Sequence, residues 1–151
     1  MEKFILEILK KINLHEEYKK LCIKYNNFDK AANLHRKDVE SIIKTHDSDF
    51  KYVAKDKNFL KETSYKEFTI RFFIGFKSGI IGFGYLIWKE GENNNFYKGN
   101  LHTLSKQIDL EFEEKVQYNS PIATSLIDFE EILTKIFLLF DDFKSHFNQR
   151  V

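Results

Sequence analysis

A chain of 151 residues, 42% hydrophobic and 31% charged, is long enough for one packed core and excludes a disordered or low-complexity protein. A formal net charge of +1 argues against a general phosphate-tracking nucleic-acid binder, and the lone cysteine, Cys22, excludes an intrachain disulfide or a cysteine-based zinc site. The opening residues, MEKFILEILKKINLHEEYKK, carry Glu7, Lys10 and Lys11 among their apolar positions and do not have the form of a signal peptide. With the single cysteine this predicts a cytoplasmic protein.

Taken in chain order, Phe4, Ile5, Ile8, Leu9 and Ile12 recur at helical spacing. Asn13 with Glu16 has the form of a capping box, so the helix is expected to restart or kink there, and Tyr18, Leu21, Cys22 and Tyr25 continue its apolar face. Asp29 is placed to cap a further helix with Ala31, Ala32, His35, Val39, Ile42 and Ile43 on its inner side, ending at the HDSD of residues 46–49. FKYVAKD, from Phe50, reads as a short strand.

The stretch FTIRFFIGFKSGIIGFGYLIWKEG, Phe68–Gly91, is the most apolar in the chain. Arg71, Lys77 and the four internal glycines argue against a membrane helix, and the period settles the form. Phe68, Ile70, Phe72, Ile74 and Phe76 alternate with Thr69, Arg71, Phe73, Gly75 and Lys77, which is the two-residue repeat of a strand. A turn at Ser78-Gly79 then sets Phe76 opposite Ile81, Ile74 opposite Phe83, Phe72 opposite Tyr85 and Ile70 opposite Ile87. All these pairs are apolar, and a slip by one residue would destroy the match. The other face sets Thr69 opposite Trp88, Arg71 opposite Leu86, Phe73 opposite Gly84 and Gly75 opposite Gly82. Bare backbone there admits either a packed helix or a docking partner, with Trp88 and Arg71 as anchors.

Beyond the hairpin, Glu90–Asn100 has the composition of a loop, and LHTLSKQI that of a helical turn or the approach to a strand. IDLEFEEKV alternates Ile108, Leu110 and Phe112 with Asp109, Glu111 and Glu113, which predicts a strand with an acidic outer face. Ser125 or Asp128 is expected to cap a terminal helix striped by Ile132, Leu133, Ile136, Phe137, Phe140, Phe143 and Phe147. The whole reads as one α+β domain over residues 1–151: N-terminal helices, a central antiparallel sheet of about four strands built on the Phe68–Glu90 hairpin, and a C-terminal amphipathic helix.

Signatures of catalysis are weak. His15 lacks a second histidine four residues on, and the types in HDSD are equally those of a helix end. His35 reads as a hydrogen-bonded core residue, and Cys22 as a packed thiol rather than a nucleophile. The hairpin glycines do not form a phosphate loop, and no cofactor or metal is expected. Charge is more informative. Residues 107–142 hold nine acids against Lys115 and Lys135, a balance of −7, whereas residues 1–66 hold 15 Lys/Arg against 11 Asp/Glu, a balance of +4. An acidic interface of Glu111, Glu113 and Glu114, aided by Trp88 and Arg71, is therefore the expected partner-binding site.

The aromatic hairpin, the single proline of SPIATSLIDFEEILTKIFLLFDDF and the terminal amphipathic helix together resemble the small immunity proteins of bacterial contact-dependent and polymorphic toxin systems, over roughly the last 85 residues. The resemblance implies a non-enzymatic cytoplasmic protein that binds and blocks a cognate toxin domain, with no catalytic residues; the near-neutral charge and the strand period add the expectation of no nucleic-acid ligand and no membrane association. An acidic surface would suit a basic nuclease toxin. A different adaptor, chaperone-like or homodimeric module, and a small ligand-binding or enzymatic domain, are the alternatives.

Overall fold

The computed structural model describes residues 2–92 and 97–151. Helices α1 (Glu2–Lys11), α2 (Leu14–Lys24) and α3 (Arg36–His46) precede five strands: β1 (Lys51–Val53), β2 (Asn58–Tyr65), β3 (Phe68–Lys77), β4 (Ile80–Lys89) and β5 (Tyr97–Asn100). Helices α4 (Leu101–Ile108), α5 (Phe112–Lys115) and α6 (Leu126–Arg150) follow. The strands form one antiparallel sheet in sequence order, so the α+β layout expected from the sequence is the fold observed.

The β3–β4 hairpin has the expected register at every pair, from Phe76 opposite Ile81 to Thr69 opposite Trp88. Ser78 and Gly79 both have positive φ, 52° and 80°, the two-residue turn that matches the twist of the strands. Gly79 is required twice over. A Cβ there would lie 2.8 Å from the Ala123 carbonyl oxygen and 2.9 Å from the Ala31 side chain. Residues 121–123, which supply that carbonyl, tie several parts of the fold together: Ala32 N–H donates to the Ala123 carbonyl, Ala123 N–H to the Gly79 carbonyl, Ile81 N–H to the Pro121 carbonyl and Ile122 N–H to the Tyr25 carbonyl.

Helices cover one face of the sheet. On that face Ile70, Phe72, Ile74, Ile81, Phe83, Tyr85 and Ile87 are buried and meet the aromatic stripe of α6. Tyr85 stacks on Phe143 at 4.5 Å between ring centroids, Phe72 packs on Phe140 at 4.7 Å, and Phe68 meets Phe147 edge to face at 5.5 Å. Each such ring removes enough apolar surface from water to contribute about 1.5–3 kcal/mol. α6 starts where the sequence places it: Asp128 N–H donates to Ser125 Oγ, while the Asp128 carboxylate accepts from Thr124 N–H and Oγ1.

Several sequence expectations are corrected. Asn13 does break α1 from α2, but through a left-handed backbone (φ 60°) with no side-chain cap; Glu16 pairs with Lys19 instead. Asp29 lies in a single 3₁₀ turn, Phe28–Lys30, and α3 begins only at Arg36, because the intervening chain is drawn out to pair Ala32 with Ala123. His35 is therefore an exposed residue at the helix start, not a core residue. IDLEFEEKV is not a strand: Ile108 ends α4, Phe112 opens α5, and the turn between them leaves Leu110 85% exposed. Two strands lie where none was expected, β2 and β5. Of the loop expected over Glu90–Asn100, residues 93–96 lie outside the described residues and the last four form β5.

Candidate functional site

The second face of the sheet has no helix against it among the described residues. Strand pairing arranges its side chains in rows. One row runs Val53, Asn58, Gly75, Gly82; the next Lys51, Leu60, Phe73, Gly84, Asn100; the next Glu62, Arg71, Leu86, Lys98; and the last Ser64, Thr69, Trp88. Lys77 and Ile80 close the turn end. Leu60, Phe73, Leu86 and Trp88 are half-buried by one another and by their neighbours, and stay open to solvent above.

Arg71 and Trp88 are together, as the sequence suggests. The guanidinium lies over the indole ring at 5.1 Å, and Nε and Nη2 donate to Glu62 Oε1 at 2.9 and 2.5 Å. The side chain is thus held flat before any partner arrives. Phe73 covers Gly84, where a Cβ would meet the ring at 2.2 Å and the Gly99 carbonyl oxygen at 2.6 Å. Gly82 differs: a Cβ built there meets nothing within 4 Å. The outcome is a trough. A cleft of about 750 Å³ is lined by Asn58, Gly75, Lys77, Ile80 and Gly82, and a second of about 320 Å³ by Asn58, Leu60, Arg71, Phe73 and Leu86. Asp56 and Asn58 border both.

Glu111, Glu113 and Glu114 are elsewhere. They lie on α5 and its approach, in the helix layer, where Phe112 is buried and stacks on Tyr18 of α2 at 5.9 Å. The structure does not bring them together with Arg71 and Trp88. Nor is the acidic segment as negative as its sequence. Glu113 pairs with Lys106 at 3.1 Å and His102 at 3.3 Å, and these neighbours, Lys106 first, hold its carboxyl below the ordinary value. Asp109 pairs with Lys115, Asp141 with Lys144, Glu130 with His46 and Glu131 with Lys24. Lys24, Lys106 and Lys144 all fall outside residues 107–142, so a count over that window misses their positive charge.

A further cleft of about 390 Å³ lies between α2 and α6, lined by Lys20, Lys24, Tyr25, Glu131 and Lys135 among others. Its charges largely answer one another: the Tyr25 hydroxyl donates to Glu131, and burial with that carboxylate pushes the phenol well up. Cys22 is fully buried, and burial pushes its thiol up to about 12, which leaves it protonated and unreactive. Among the described residues no group of three or more His, Cys, Asp or Glu is placed to hold a metal, and no helix is long and apolar enough to cross a membrane.

No family model matches this chain, no curated protein matches it, and no solved structure matches it. The uncovered sheet face offers Trp, Phe, Leu and Arg over bare glycine backbone, which are residues suited to gripping a partner.

Proposed function

We propose that this chain is a non-enzymatic inhibitor of the immunity type, which neutralises a cognate bacterial toxin domain by docking it on the uncovered face of the sheet. One observation carries the reading: helices fill one face of the sheet, while the other sets a preformed Arg71–Trp88 pair, Phe73 and Leu86 around the open floor at Gly82. Trp and Arg in a partly apolar setting are the side chains that most often dominate binding energy. Their geometry is fixed in the free protein by Glu62 and by the strand register, so little ordering cost remains on association. The clefts are open troughs rather than enclosed chambers with convergent polar groups, which favours a macromolecular partner over a small substrate.

The test is co-expression with the product of the adjacent reading frame, read by co-purification and by rescue of growth. Wild type should be retained by that product and restore growth, and the double variant Arg71→Ala, Trp88→Ala should lose both while keeping its circular dichroism. Failure of wild type to bind or to rescue would overturn the reading.

A further inference from the structure

We infer that the uncovered sheet face receives an acidic segment of a protein partner, seated with an apolar side chain over Gly82 and carboxylates on the surrounding lysines. This rests on the docking face proposed above and adds the chemistry of what docks. Five charged residues project from the strands on this face: Lys51, Glu62, Arg71, Lys77 and Lys98. The one acid on these strands, Glu62, is committed to Arg71, and at the β1–β2 turn the charge of Asp56, which borders both clefts, is matched by that of Lys57, so the balance is +3 on a face of a chain whose total is +1. Lys51, Lys77 and Lys98 are exposed, and among the described residues none has a carboxylate at ion-pair distance.

Their placement follows the register. Lys51 and Lys98 stand on the two edge strands and Lys77 at the hairpin end, so three cations rim an apolar middle of Leu60, Phe73, Leu86 and the glycine floor. An apolar centre with a charged rim is the anatomy of a protein–protein interface. Single-stranded nucleic acid asks for something else: a continuous cationic track and free aromatic faces on which bases stack. Here the indole of Trp88 is already capped by Arg71, and the ring of Phe73 is pressed on Gly84. The open space above Gly82 takes one side chain from the partner. Acidic residues flanking that side chain then meet Lys51, Lys77 and Lys98, which steer the encounter and set the register on the face.

The experiment is fluorescence anisotropy with three labelled probes: a peptide with a central Trp and Leu flanked on both sides by Glu and Asp, the same peptide with Lys in place of the acids, and an oligothymidylate. Wild type should bind the acidic peptide saturably and more tightly than the other two. Affinity should fall at least ~10-fold in the variant Lys51→Glu, Lys77→Glu, Lys98→Glu, and also in Gly82→Phe, whose melting temperature should match wild type. Absence of saturable binding, or equal binding by the three-lysine variant, overturns the inference. Tighter binding of the oligothymidylate, lost in the three-lysine variant, overturns it in favour of nucleic acid. The growth-rescue assay separates this inference from the inhibitor reading. A three-lysine variant that rescues as well as wild type leaves the inhibitor reading standing and overturns the acidic docking. Peptide binding through the three lysines by a protein that rescues nothing does the reverse.

Discussion

The two faces of the β3–β4 hairpin come from the same twenty residues and the same backbone, yet they have different fates. One face buries Ile70, Phe72, Ile74, Phe83, Tyr85 and Ile87 to 1% exposure or less against α6 and its neighbours. The other holds Arg71, Phe73, Gly75, Gly82, Leu86 and Trp88 half-exposed, with no helix above them among the described residues. Apolar content alone therefore does not decide burial: what decides it is whether a second layer of the same chain is available to cover the face. On the first face aromatic residues are structural mass, and on the second they are contact surface.

The largest break in that comparison is expected on the covered face. Phe72→Ala removes a ring packed on both Phe140 and Tyr85 and should cost about 3–5 kcal/mol in denaturant unfolding. Leu86→Ala, on the opposite side of the sheet, should cost about 1 kcal/mol or less. Equal costs would mean that the second face is packed as a core.

The glycines sharpen the point within one face. Gly84→Ala places a methyl against the Phe73 ring and the Gly99 carbonyl and should destabilise by about 1–3 kcal/mol. Gly82→Ala meets nothing and should be neutral or slightly stabilising, since it restricts the unfolded chain. Thermal melts of the two variants provide the check, and a large loss in Gly82→Ala would show the trough to be filled.

A third contrast concerns Lys61, a charged residue on the covered side of β2. It pairs with Asp47 at the end of α3, with both side chains mostly shielded from solvent. Burial alone would raise the Asp47 carboxyl, but hydrogen bonds from Lys61 and the Asp49 N–H outweigh it and hold the carboxyl below its ordinary value of 3.8. The pair's contribution is thus complete above that value and fades as the pH falls through the lower, folded-state one. Asp47→Asn should lose about 1–2 kcal/mol at neutral pH, and its deficit against wild type should shrink in acid. A deficit independent of pH would assign the loss to packing. The smallest effect belongs to Cys22, whose native thiol should react with a maleimide far more slowly than the unfolded one.

These contrasts also show what a sequence can carry. The hairpin was legible to the residue because alternation and turn chemistry constrain the register independently and agree. Residues 108–116 were not, because Ile108 and Phe112 are four apart and satisfy a strand's period and a helix's equally; only Leu110, turned out to solvent, distinguishes them. β2 was hidden because its covered side is Phe59, Lys61, Thr63 and Tyr65, and the charge on Lys61 becomes acceptable only once Asp47 is brought to it by the fold. Of the site, Arg71 opposite Leu86 beside Thr69–Trp88 was readable from register. The separation of Glu111, Glu113 and Glu114 from it was not, since nothing local shows that α5 packs in the helix layer. The basic rim of Lys51, Lys77 and Lys98 was likewise dispersed over three strands, and the signal that would have found it is the pairing of β1 and β5 with the hairpin.

The central claim is that the uncovered sheet face is the binding face, and one comparison tests it most directly. Gly82→Phe fills the trough without touching the core, while Glu111→Lys, Glu113→Lys, Glu114→Lys inverts the acidic stretch in the helix layer. Both variants and wild type are assayed for growth rescue and for association with the product of the adjacent reading frame, after melts confirm that each is folded. The account predicts that Gly82→Phe loses rescue and binding and the triple Glu variant keeps both. Loss in the triple variant with full activity in Gly82→Phe would contradict it and move the interface to α5.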